Sequence, residues 1–283
     1  MWGKVGSLTS KKIHTFHIVG DEKTKRLYAA AQPFCYEQYD DAVLLDSVDP
    51  KFLANFHIEG SAVWKNIDLS RTWREISLDE VQRLVRCISR RWEERHPLSY
   101  DYRSSNCLWI DQSTNDKLLP MRLPVKSAFF LAQGATEYVE QFFENHLGPL
   151  YELCCITVGL KQSTVDAMID KFVPVDGGSF YMQQELTREQ IERLVLKCEM
   201  AEKKVKIQML SQDSTYCTKC SDVLQLFDFN KHYTKREFIG GNLIAVRGGS
   251  KLEVTVRFKF VGSFEWQWDE VKYQAKSGKK VLS

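Results

Sequence analysis

Cys217-Thr-Lys-Cys220 is the pairing in this chain with the clearest chemical potential, because two thiolates at that spacing can close around one metal ion. His232 follows twelve residues later and adds a third donor. A structural zinc site takes four ligands, so Cys198 or another histidine would have to complete the set. Cys87 and Cys198 themselves fall on apolar faces of expected helices, where a thiol behaves as a small hydrophobe. A thioredoxin-like redox role needs a Cys-x-x-Cys pair at a strand-to-helix turn early in a domain, and this one comes late. The six histidines (14, 17, 57, 96, 146 and 232) occur singly, with no His-Glu-x-x-His motif and no nucleophile elbow around them. The glycine pairs 177–178, 240–241 and 248–249 lack the Lys-Ser/Thr of a phosphate loop and read as turns. No catalytic residue and no cofactor are therefore expected. Trp266 and Trp268 alternate with Glu265, Gln267 and Asp269, so they are either core residues or an exposed binding patch. With Arg247 they are the candidate partner-binding residues.

Bulk properties narrow the class. The chain has 283 residues, enough for one large domain or two ordinary ones, and its 43% hydrophobic content argues against disorder. With 39 basic against 37 acidic residues the net charge is +2, too even to steer nucleic acid or anionic lipid. The opening residues lack the apolar stretch of a secretory signal, and no apolar run approaches the roughly 18 residues of a membrane span. Eight cysteines without a signal point to a reducing compartment, so the expected location is intracellular, cytoplasmic or nuclear.

The elements that must position these residues announce themselves by period. Val81, Leu84, Val85, Ile88 and Trp92 share one helical face, and Ser77 with Glu80 forms a capping box ahead of them. Pro97 ends that helix and Leu98-Ser-Tyr-Asp-Tyr alternates like a short strand. Thr187 with Gln190 repeats the box before Ile191, Leu194, Val195 and Cys198, and Ser163 opens a third capped helix with Val165, Met168, Ile169 and Phe172 inward. Thr136 begins a helix carrying Val139, Phe142, Phe143 and Leu147. Each is followed by a β-rich run. Starts at 136, 163 and 187 lie 27 and 24 residues apart, within the roughly 20–29 residues of leucine-rich-type repeats. The expected class is α/β, built of repeated helix-strand units as a leucine-rich-repeat-like open stack. A doubly wound sheet is the alternative. Residues 242–260 form two alternating runs around Gly248-Gly249, an antiparallel β-hairpin. Short patches punctuated by Pro50 and Gly60 suggest a small N-terminal helical cap over 1–70, ahead of an α/β repeat-like domain over 71–283.

Pro33-Phe34, Trp64-Lys65, the capped helix-strand units and the hairpin around Val246-Arg-Gly-Gly together resemble the nematode F-box-associated proteins. Ser47-Val-Asp-Pro-Lys-Phe-Leu through Trp64 is similar to the second half of an F-box, although its Leu-Pro opening is absent. The resemblance implies a non-catalytic protein-interaction or substrate-recognition module related to ubiquitin-ligase adaptors, with a protein partner and neither membrane nor nucleic acid. The alternative is an enzyme of doubly wound fold.

Overall fold

The computed structural model describes residues 13–21, 24–33, 42–60, 72–89, 96–111, 116–131, 133–134, 136–212, 217, 219–260 and 262–271. Phe34, Trp64-Lys65 and Trp92 lie outside the described residues. The chain divides into two compact units: residues 1–95 with 101–150, and residues 96–100 with 151–283. The boundary expected at residue 70 therefore falls inside the first unit.

That first unit opens with strands where the sequence suggested helices. β1 (His14–Gly20) pairs antiparallel with β2 (Leu27–Pro33) and parallel with β3 (Leu53–Glu59). Among the described residues of 1–70, helix is limited to single 3-10 turns at Leu45–Ser47 and Pro50–Phe52. Across the described residues, sheet thus stands where the helical cap was expected. The reason is visible in β3, where Phe56 and Ile58 alternate with Asn55, His57 and Glu59 at a period of two, which a helix cannot place on separate faces. β4 (Arg74–Ile76), β5 (Cys107–Ile110) and β6 (Ser127–Phe130) complete the order β6-β5-β3-β1-β2-β4, with β3, β5 and β6 parallel.

α1 (Leu78–Ser89) starts on the expected capping box: Glu80 N–H donates to Ser77 Oγ (3.3 Å) and Ser77 N–H to Glu80 Oε2 (3.4 Å). Its Val81, Leu84, Val85 and Ile88 are buried, and it packs on β3. α2 (Thr136–Asn145) sets Phe142 edge-on against Phe130 of β6 at 5.3 Å. Leu147, expected inward, is 81% exposed because the helix stops two residues before it.

In the second unit three parallel strands alternate with helices: β7 (Glu152–Cys155), α3 (Gln162–Lys171), β8 (Ser179–Leu186), α4 (Arg188–Ala201) and β9 (Lys206–Ser211). Along the sequence, α2, α3 and α4 begin 26 residues apart. The Thr187–Gln190 capping box forms with both of its bonds, 3.2 and 3.1 Å. The one expected at Ser163 does not: the N-cap is Lys161, whose side chain makes no capping hydrogen bond, and Ser163 sits inside the first turn. The strand expected at 98–102 shrinks to one bridge, Ser99 with Asp176. Gly178 lets β8 start against its neighbour, since a Cβ there would lie 2.7 Å from the Tyr151 carbonyl oxygen and 3.1 Å from that of Val175.

Two short helices, α5 (Val223–Leu226) and α6 (Phe229–His232), lead into an antiparallel set. Its strands are β10 (Lys235–Ile239), β11 (Asn242–Val246), β12 (Leu252–Phe260) and β13 (Ser263–Glu270). The hairpin expected around Gly248-Gly249 is β11 with β12. It does not close the sheet alone: the order is β10-β11-β12-β13-β9-β8-β7, so β13 sits beside β9 and β10 is the edge.

Candidate functional site

The parallel register of β1 on β3 places Thr15 beside Asn55, His17 beside His57 and Val19 beside Glu59. Side chains alternate across a strand, so Phe16, Ile18, Phe56 and Ile58 go to one face and the polar set to the other. Both faces are buried; His17 and His57 are 0% and Glu59 3% exposed. Buried polar atoms need partners, and this row is tied together accordingly. Thr15 Oγ1 donates to Asn55 Oδ1 (2.9 Å), while Asn55 Nδ2 donates to the carbonyl oxygens of Arg103 (2.8 Å) and Ser105 (2.9 Å).

His57 Nε2 lies 3.1 Å from the Ser105 carbonyl oxygen. A carbonyl can only accept, so Nε2 carries the proton and Nδ1 keeps a lone pair. Nδ1 lies 4.0 Å from Glu59 Oε1, which accepts from the Tyr102 hydroxyl at 3.1 Å. The rings of His17 and Tyr102 each pack 4.8 Å from that of His57. Desolvation pushes the His57 pKa down to about 4, against raising contributions from the Tyr102 and Ser105 backbone. It holds His17 well below the ordinary imidazole value too, with His57 as the second cause. Both rings are neutral at pH 7, the form in which imidazole donates a lone pair. Donor atoms of His17, His57 and Glu59 all lie within 4.8 Å of one another.

The second unit is built differently. Its apolar row, Phe180, Ile207, Trp266 and Val256 among others, is buried beneath helices: Phe172 at the end of α3 meets Phe180 at 5.3 Å, and Phe229 of α6 stacks on Trp266 at 5.4 Å. The opposite face stays open. From β7 to β11 its residues are half-buried or exposed, and most are polar, apart from Glu265, Glu253 and Ser263, which are buried. They pair with each other across strands. Lys206 Nζ lies 2.7 Å and Arg257 Nη1 3.0 Å from Glu265, and Arg257 also donates to Gln267 at 2.6 Å. At the other side Glu152 accepts from the Tyr100 hydroxyl (2.6 Å) and from Ser179 Oγ (3.0 Å).

The residues singled out from sequence fare unevenly. Cys217 and Cys220 are buried, and Cys220 Sγ donates to the Val256 carbonyl at 3.2 Å. His232 is turned to Glu192, 3.6 Å from its Nε2, and packs against Phe227. These three donors do not converge; among the described residues the only metal-competent group is His17, His57 and Glu59. Cys198, the suggested fourth ligand, is buried within α4 and its thiol is pushed strongly up by desolvation.

Trp266 and Trp268 are each 1% exposed, which removes the exposed-patch reading in favour of core. Trp268 Nε1 donates to Glu199 at 2.8 Å, joined there by the Tyr233 hydroxyl at 2.7 Å, and Arg247 Nε forms an ion pair with the same carboxylate at 3.2 Å. Arg247 also holds Glu202 at 2.6 Å, so it anchors the hairpin turn to the end of α4. The histidine–glutamate cluster escaped the sequence reading, which saw isolated histidines. The available signal was His57-Ile-Glu59, two donors on one face of a strand. No protein-family model matches this chain, and neither does any curated protein or solved structure.

Proposed function

We propose that the chain is a non-catalytic protein-interaction module whose second unit receives a partner on the open face of its sheet. The observation that carries this reading is the one-sided cover: helices bury the apolar row while a polar face spanning β7 to β11 stays accessible. A sheet wound strand by strand with helices on one side leaves such a face by construction, in the manner of a leucine-rich-repeat-like stack. The sequential order β7-β8-β9 and the regular 26-residue helix spacing support that arrangement.

Both signs of charge occur there, Lys206, Arg257 and Lys259 beside Glu265, Asp269 and Glu152, which favours a polypeptide over nucleic acid. An open depression lined by Lys204, Arg236, Glu237, Ile244, Arg247 and Lys251 forms a mixed rim at the hairpin end. The resemblance to F-box-associated proteins would make the module a substrate-recognition subunit inside the cell.

A photo-crosslinking side chain introduced at Tyr181 or Thr255, on the open face, should capture protein partners in cells. The same group at Met200, 67% exposed on α4, should not. Equal capture at all three positions, or capture at Met200 alone, would reject this use of the face.

A further inference from the structure

The polar cluster of the first unit does not belong to the open face and calls for its own account. We propose that His17, His57 and Glu59 form a binding site for one divalent transition-metal ion, zinc being the probe of choice, which staples β1 to β3. Three features argue for it. The donor set is two imidazoles and a carboxylate, a combination that binds zinc and related first-row ions. The scaffold is rigid, with His17 and His57 as register partners on paired strands and Glu59 two residues beyond on the same face. An outer layer also orients the donors: the Ser105 carbonyl fixes His57 so that Nδ1 faces Glu59, and the Tyr102 hydroxyl holds Glu59. Ligating histidines characteristically donate their other N–H to a carbonyl or carboxylate in this way.

Distances are compatible with closure. Tetrahedral ligands about 2.0–2.1 Å from zinc stand about 3.3 Å apart. The His57–Glu59 pair at 4.0 Å and an outer limit of 4.8 Å need side-chain shifts of roughly 1 Å or less on each donor. All three donors are buried, His17 and His57 at 0% and Glu59 at 3% exposure. The ion would bridge a donor of β1 to two donors of β3, so it would act on the pairing of the two strands. The proposal is independent of the partner-binding reading.

Equilibrium dialysis of the full chain against zinc, read by total-metal analysis, should give one ion per chain. His57→Asn and Glu59→Gln should each lower the affinity at least tenfold, and Cys217→Ser should leave it unchanged. Loss in Cys217→Ser with retention in His57→Asn would move the metal elsewhere and overturn the assignment. So would wild-type protein without stoichiometric zinc. Cobalt loading of the wild type guards against variants that fail to fold. Ligand-field bands without thiolate-to-metal charge transfer are expected, whereas a thiolate band would reject the site.

Discussion

A buried carboxylate is unfavourable unless it is hydrogen-bonded and paired, and Glu199 accepts from Tyr233 and Trp268 and pairs with the Arg247 guanidinium. Tyr233→Phe removes one donor and keeps the ring. A hydrogen bond to a buried charge of this kind contributes about 1.5–3 kcal/mol, so the urea midpoint should fall with an unchanged m value. Glu265 offers a pH test. Desolvation raises its pKa, but hydrogen bonds from Lys206 and Arg257 and the charge of Lys259 overcome that, and the net shift is downward. A depressed carboxyl stabilises the fold above its unfolded pKa of about 4.3 and loses that contribution as pH falls through the folded value. Wild-type stability should therefore drop more steeply below about pH 4 than that of Glu265→Gln, in chemical denaturation followed between pH 2 and 6.

Among elements, α4 is held by its cap and by its neighbour. Gln190 closes the capping box and also donates to Gln162 and Asp166 of α3, at 3.0 and 3.1 Å. Thr187→Ala should cost about 0.5–2 kcal/mol, seen as a lower thermal midpoint. Gly178→Ala should be worse than an exposed glycine change, about 1–3 kcal/mol, because its new Cβ meets backbone oxygens that cannot rotate away. Helices α1 and α4 were legible in the sequence because their apolar period and their capping residues agree. The β11–β12 hairpin was legible because Gly248-Gly249 separates two alternating runs. The first three strands were not. Their second face is buried with polar residues, Thr15, His17, Asn55 and His57, so hydrophobicity does not mark which side is inside. The metal-competent cluster was hidden for a related reason. His17 and His57 stand 40 residues apart and meet only because β1 and β3 pair in parallel with β2 on the far side of β1. A spacing rule sees neighbours along the chain and not across a ladder.

For the whole molecule, near-neutral charge excludes strong long-range steering by phosphates. A labelled DNA duplex titrated at physiological salt should show no saturable rise in anisotropy; tight binding with a steep salt slope would contradict the mixed-charge reading of the open face. The insertion of β13 between β12 and β9 has a further consequence for how the chain is made. Strands β10 to β12 leave the ribosome before the eight residues that join them to β9. Until Gln267 can meet Lys206, both the parallel strands and the antiparallel set carry an unpaired edge, and that long-range closure is the slow kind of contact. One late strand thus governs both how long the nascent chain is open to wrong association and whether two half-sheets become one.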